Sequence, residues 1–206
     1  MKILVHHRIR GTGADGTHIR GVVSGFRKLG FPVEILSPWG VNIEDVNPDK
    51  EKLKPQRNTL IKIPRIFFEL FEMMYNVLAI FRLFYHINKY NHDLIYERYA
   101  FFNISGVLIS RILRIPIFLE VNFTSRTEVY PKRTKIFHFA NKWIEKFIFN
   151  HVDLIIVISD QLKEDIAKYG INRKKILVLP NAVDADRFNP ELYLKNKKLK
   201  KCGLDD

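Results

Sequence analysis

Six short, almost purely apolar runs recur along the chain, at 2–6, 32–37, 93–97, 115–120, 153–158 and 175–179. A strand that is apolar on both sides must be covered on both sides. Consecutive strands find that environment in a parallel sheet with helices on its two faces. Helical spacing predicts helices over 16–29, 64–90, 102–113, 134–150 and 160–169. In the first of these, Ile19, Val22, Val23, Phe26 and Leu29 share one face, and Gly30 is a natural stop. The polar stretch Asn47 to Asn58, with two prolines, reads as a loop. The expected fold class is α/β. Sheets of this kind bind ligands beyond the carboxyl ends of their strands, so the positions to watch follow His6, Glu97, Glu120, Ser159 and Leu179.

A chain of 206 residues with 47% hydrophobic side chains suits one α/β domain with a substantial core. Its single cysteine, Cys202, rules out an internal disulfide and fits a reducing compartment. The opening Met1-Lys-Ile-Leu-Val-His6 is too short an apolar run for a secretory signal. Asn103-Ile-Ser105 and Asn122-Phe-Thr124 are therefore read as chance matches to the glycosylation pattern. No uncharged apolar run is long enough to span a bilayer. The expected location is the cytoplasm. The net charge of +12, from 34 Lys+Arg against 22 Asp+Glu, calls for an anionic partner: nucleic acid, anionic lipid or a phosphorylated substrate. The positive residues spread over both halves and no nucleic-acid signature appears, so nucleic acid ranks well below a membrane.

After the first strand stands Gly11-Thr-Gly13-Ala14-Asp15-Gly16, formally G-x-G-x-x-G ahead of a helix. Glycines admit close backbone approach, and a helix N-terminus offers free N–H groups to a phosphate. A dinucleotide fingerprint fits poorly. Four residues separate His6 from Gly11 where a tight turn is needed, and Ser37 rather than an acid closes the second strand. The plain alternative is a strand-to-helix turn, which three glycines within six residues disfavour. Adjacent His6 and His7 have no third metal ligand at suitable spacing and are expected to line the cleft. Serine-hydrolase, zinc-protease and paired-cysteine motifs are absent.

Acids and amides cluster at two strand ends, as Tyr96-Glu97-Arg98-Tyr99 and Leu119-Glu120-Val-Asn122. Glu97 and Glu120 suit hydrogen bonds to hydroxyls, or pairing with Arg98 as structural stitches between strands. Glu128 lies in the following loop, within reach of an acceptor or simply solvated. From 64 to 90 the polar residues Arg65, Glu69, Glu72, Asn76, Arg82 and His86 form a narrow stripe on an otherwise apolar helix. Such a helix either buries its wide apolar face against the sheet, the commoner case, or offers part of it to a bilayer or another domain. A second apolar face, with Trp143 and Phe147, is bordered by Lys132, Arg133, Lys135, Lys142 and Lys146. That composition suits an anionic membrane surface, or core packing with a solvated lysine edge.

The close of the chain, Asp153-Leu-Ile-Ile-Val-Ile-Ser159 followed by Lys174-Lys-Ile-Leu-Val-Leu-Pro180-Asn181-Ala-Val-Asp184 and Phe188-Asn-Pro190, resembles the end of the first domain of GT-B glycosyltransferases of family 4. The glycine loop with His18, and the pair of strand-end motifs around Ile115-Pro116, resemble the same family. The resemblance covers residues 1 to about 190 and implies a Rossmann-like domain, with 191–206 a basic tail or linker. It implies retaining transfer of a sugar from a nucleotide-sugar to a glycan or lipid-linked acceptor, with no metal and no cofactor. Gly13, Ala14, Asp15 and Gly16 would face the donor phosphate and sugar. His18, Glu97, Arg98, Glu120 and Glu128 would face the acceptor or cleft. Asn181 and Asp184 would form the turn between domains. Many relatives carry a catalytic histidine about where Asn122 stands. Asn122 can donate a hydrogen bond but cannot move a proton, so it implies a positioning role. Ala14 replaces a frequent second glycine. The nucleotide is held mainly by a second domain, for which the 16 residues after Pro190 leave no room. The expectation is an acceptor-side domain, inactive alone, that works with a C-terminal GT-B domain in the same or a separate chain, with peripheral attachment to the inner face of the cell membrane. The alternative is a non-catalytic domain that binds glycan or anionic lipid.

Overall fold

The computed structural model describes residues 1–9, 13–37, 65–126 and 138–182. The stretches Asn47–Asn58 and 183–206 lie outside them, as do Glu128 and Asp184. Six strands, β1 (Ile3–His6), β2 (Val33–Leu36), β3 (Leu94–Arg98), β4 (Ile117–Val121), β5 (Leu154–Val157) and β6 (Ile176–Val178), form one sheet in the order β2-β1-β3-β4-β5-β6. Every pairing is parallel. The helices α1 (Gly13–Lys28), α2 (Arg65–Tyr90), α3 (Ser105–Leu113), α4 (His138–His151) and α5 (Asp160–Ala167) connect them. All the expected elements are found, with ends shifted by a few residues.

Side-chain alternation along the strands divides the core in two. On one face, Ile3, Val5, Leu94 and Tyr96 pack against Ile19 and Val23 of α1. On the other, Leu4, Ile95, Ile117 and Ile155 pack against Leu83 of α2, Val107 of α3, Phe149 of α4 and Ile166 of α5. The asymmetry follows from handedness. The chain steps one way across the sheet only from β1 to β2 and the other way thereafter, so right-handed crossovers put α1 on one face and α2–α5 on the other.

Local signals fix the helix ends. Ser159 caps α5 by accepting from Leu162 N–H at 3.3 Å. The segment after α1 turns at Gly30, whose φ of 83° a side chain would resist. The turn between β3 and α3 has Phe102 at φ 58°, an unusual conformation for a bulky residue. Asn76 of α2 clamps that turn: its Nδ2 donates to Phe102 O at 2.7 Å and its Oδ1 accepts from Ile104 N–H at 2.9 Å.

The helix α2 reverses the commoner expectation of a wide apolar face turned to the sheet. Its polar stripe faces inward: Glu69 and Asn76 are buried, and Glu72, Arg82 and His86 are half-buried. Leu83 and Ile87 supply its apolar contact with the core. Phe67, Phe71, Met74, Leu78, Phe81 and Tyr85, alternately four and three residues apart, line its exposed side. Two of the inward polar groups reach β2 and its end: Arg82 donates to Ser37 O at 2.8 Å, and His86 lies 2.5 Å from Glu34, whereas neither carboxylate oxygen of Glu69 has a hydrogen-bond partner among the described residues. That polar attachment turns the apolar stripe outward.

Candidate functional site

The parallel register brings His6 level with Glu97 and Arg98 level with Glu120 at the carboxyl edge of the sheet. Glu97 and Arg98 are neighbours on β3, so period-2 alternation sends them to opposite faces. The stitch between Glu97 and Arg98 considered in the sequence does not form, and two separate clusters result.

The first cluster lies on the α1 face. Arg98 holds Asp15 in the first turn of α1 at 2.6 Å and Glu120 at 3.1 Å. Glu120 also accepts from Tyr96 OH at 2.8 Å and from Asn122 Nδ2 at 2.8 Å, and His18 Nε2 stands 2.9 Å away. Burial alone would raise the Glu120 carboxyl. The adjacent His18 imidazole, the Arg98 charge and the Tyr96 hydroxyl together bring it below the ordinary carboxylate range. Glu120 is thus an anion at neutral pH with its lone pairs engaged, a hub that orients its neighbours. Burial and the adjacent Glu120 push the Tyr96 hydroxyl far up, so it stays protonated and donates. Asn122 donates one amide hydrogen to Glu120, while its buried Oδ1 has no hydrogen-bond partner among the described residues.

Gly13, Ala14, Asp15 and Gly16 are the first turn of α1 rather than a loop ahead of it. The first N–H groups of a helix have no partner within it and carry partial positive charge. The Arg98–Asp15 pair fixes that turn against the ends of β3 and β4, beside Glu120 and Asn122.

The second cluster is internal. Glu97 is buried on the opposite face. Its Oε1 lies 2.6 Å from His6 Nδ1 and accepts from Asn103 Nδ2 at 2.7 Å. Asn103 in turn accepts from Ser105 Oγ at 2.7 Å. The carboxyl sits under the first turn of α3, where a Cβ on Gly106 would lie only 2.0 Å from Oε2. Glu97 therefore braces the β3–α3 turn and does not open onto the first cluster. His6 and His7 are likewise fully buried rather than lining an open cleft. Burial and the neighbouring His6 hold the His7 imidazole down to a pKa of about 4. Among the described residues no three His, Cys, Asp or Glu side chains are grouped to hold a metal ion.

Of the remaining predicted site residues, Asn181 is exposed at the end of the described chain, and Glu128 and Asp184 lie outside it. Sequence reasoning missed Tyr96 and Glu145. Tyr96 sits two residues before Arg98 and so shares its face. Glu145 is the one acid in α4 and is fully buried. It accepts from Tyr99 OH at 2.6 Å, Ser125 N–H at 2.7 Å, Ser125 Oγ at 2.5 Å and Tyr169 OH. Those contacts anchor the segment that leaves Asn122. A lone acid on an apolar helical face was the available signal.

The profile of Glycosyltransferase Family 4 matches residues 16–187. No curated protein matches the sequence. Among solved structures, a glycosyltransferase from Rickettsia africae is similar over 100% of this chain and 50% of its own, with 18% identity and a TM-score of 0.63. The UDP-GlcNAc 2-epimerase from Neisseria meningitidis, solved bound to UDP-GlcNAc, matches 98% of this chain and 52% of its own at 14% identity and TM-score 0.59. The Anabaena protein HepE, solved in complex with UDP, matches 98% and 50% at 14% identity and TM-score 0.53. At such identities these likenesses speak to the fold alone. The chain spans about half the length of each of these structures, and its parallel sheet is that of the N-terminal half of a GT-B fold. With the family profile covering most of the sequence, this chain belongs to glycosyltransferase family 4.

Proposed function

We propose that this chain is the acceptor-side domain of a retaining glycosyltransferase that moves a sugar from a nucleotide-sugar to a glycan or lipid-linked acceptor, as in polysaccharide biosynthesis. The observation that carries the reading is the Arg98–Glu120 hub, which ties the N-terminal turn of α1 to Asn122 at the carboxyl edge of the sheet. The turn offers N–H groups to a donor phosphate. Asn122, held by its Nδ2 on Glu120 and with an enclosed Oδ1 that has no hydrogen-bond partner among the described residues, stands beside that turn to position the sugar. His18, one turn further along α1, stands 2.9 Å from Glu120. None of these groups is poised to transfer a proton through Asn122, so its part is to position. The UDP bound in the similar HepE structure and the UDP-GlcNAc bound in the similar epimerase support a nucleotide-sugar partner. We assign the main grip on the nucleotide to a C-terminal GT-B domain, in the same or a separate chain, and no metal ion or cofactor to the reaction. The protein works in the cytoplasm, attached peripherally to the inner face of the membrane.

A turnover assay over a panel of nucleotide-sugars tests this. The 206-residue chain alone is expected to give background only. Fused to a family 4 C-terminal domain, it is expected to transfer. In that fusion Gly13→Val and Asn122→Ala should lower turnover much more than they lower the melting temperature. Steady transfer by the chain alone, or a fusion insensitive to both substitutions, overturns the reading.

A further inference from the structure

The outward stripe of α2 is the largest feature that the candidate site leaves unexplained. Phe67, Phe71, Met74, Leu78, Phe81 and Tyr85 run along about 27 Å of one helix at 1.5 Å per residue. Scattered exposed apolar residues need no account, but a continuous stripe of this size marks a contact surface. The stripe interrupts its apolar character with no exposed charge until Lys89, next to the aromatic Tyr85 and Tyr90. The neighbouring helices repeat the theme: Ile112 of α3 and Trp143 of α4 also project outward.

The charges on this side choose the occupant. The only acids on α2, α3 and α4 are Glu69, Glu72 and Glu145; two are fully buried and Glu72 is half-buried. The exposed ionised side chains of these three helices are basic: Lys89, Arg111 and Lys146. A second copy would bring the same positive rim against itself. An anionic bilayer complements both the apolar stripe and the basic rim, with tyrosine and tryptophan at the boundary. No described helix is long and apolar enough to cross a membrane, so the helix would lie in the interface plane.

Resting on the peripheral attachment proposed above, we infer that the exposed face of α2 is the membrane-docking surface of this domain, and that the lysine edge of α4 only flanks it. Position adds a consequence. Asn76 is level with the turn after β3, so residues 65–75 of α2 run past the carboxyl edge of the sheet. Arg8, just after β1, donates to Glu72 O at 3.3 Å and stacks on the Tyr75 ring at 4.5 Å. The stripe therefore begins near the carboxyl edge of the sheet, on the face opposite the Arg98–Glu120 cluster.

The test is co-sedimentation of the full chain with phosphatidylcholine vesicles, with and without phosphatidylglycerol. Two variants are compared, Met74→Glu with Phe81→Glu on α2, and Lys142→Glu with Lys146→Glu on α4. Both alter side chains at or near the surface, and circular dichroism checks that each still folds. We expect binding to the anionic vesicles, a loss of about tenfold or more for the α2 variant, and a smaller, salt-dependent loss for the α4 variant. Equal binding by the wild type and the α2 variant would overturn α2 as the contact while leaving peripheral attachment standing. A wild type that binds neither vesicle would overturn both. A wild type that ignores vesicles and sediments as a dimer, with the α2 variant monomeric, would show that a second copy covers the stripe.

Discussion

Replacing Gly106 with alanine puts a Cβ 2.0 Å from Glu97 Oε2, 2.6 Å from its Cδ and 2.8 Å from its Oε1. A flexible surface glutamate would swing away. Glu97 is buried and held at 2.6 Å by His6 and at 2.7 Å by Asn103, so moving it breaks both contacts. Two buried hydrogen bonds cost about 3 kcal/mol together, and forcing a methyl into a packed site adds about 1–2 kcal/mol. The better helix propensity of alanine returns about 1 kcal/mol. Gly106→Ala should therefore destabilise the domain by about 3–4 kcal/mol. Urea denaturation of the wild type, Gly106→Ala, Glu97→Ala and the double variant closes a thermodynamic cycle. In the Glu97→Ala background the methyl has space, and Gly106→Ala should be neutral or stabilising by up to about 1 kcal/mol. A cost below about 1 kcal/mol in the wild type, or the same cost in both backgrounds, would refute the bracing role given to Glu97.

Three further outcomes follow from other contacts. His7 is held to a pKa of about 4 against an ordinary 6.5, so the unfolded chain takes up a proton that the folded chain refuses. Stability is unaffected above pH 6.5 and falls as pH drops from 6.5 to about 4, by about 3 kcal/mol in all; a wild-type minus His7→Gln difference that stays flat over that window in urea titrations would contradict it. Glu120 sits below the ordinary carboxylate range, so its share of stability is present above the unfolded pKa and is lost as pH falls through the folded one. Arg98→Met should raise the Glu120 carboxyl, as read by carboxyl NMR, and an unmoved titration would deny the ion pair. Glu145→Ala should cost about 3 kcal/mol, because it strands the hydroxyls of Tyr99, Ser125 and Tyr169; a thermal melt within a few degrees of wild type would count against the anchor.

The sheet was legible because its signal is local. Runs such as Leu154-Ile-Ile-Val157 are apolar on both faces, and Gly30 and Ser159 mark helix boundaries by their own chemistry. The composition of the first cluster was legible too, since Glu120, Asn122, Arg98 and Asp15 all fall at the carboxyl ends of strands or the helix start that follows. What the sequence did not disclose depends on pairing. Glu97 and Arg98 are adjacent in the chain, and only the register across β1, β3 and β4 separates them into different clusters. The direction of α2 was hidden for the same reason. Amphipathicity gives two faces, and the usual rule sends the apolar one inward. Here Asn76, Arg82 and His86 find specific partners in the turn after β3, at Ser37 and at Glu34, and these contacts set the rotation of the helix.

The most direct test of the account is where a nucleotide-sugar touches this domain. Amide and side-chain NMR shifts of the 206-residue chain, followed while UDP-GlcNAc and other nucleotide-sugars are added to millimolar levels, read that contact without requiring turnover. The predicted result is weak, saturable change confined to Gly13–His18, Arg98, Glu120 and Asn122. Change centred elsewhere, such as the Glu34–His86–His92 cluster, or none with any donor, would contradict the placement of the donor at the N-terminal turn of α1.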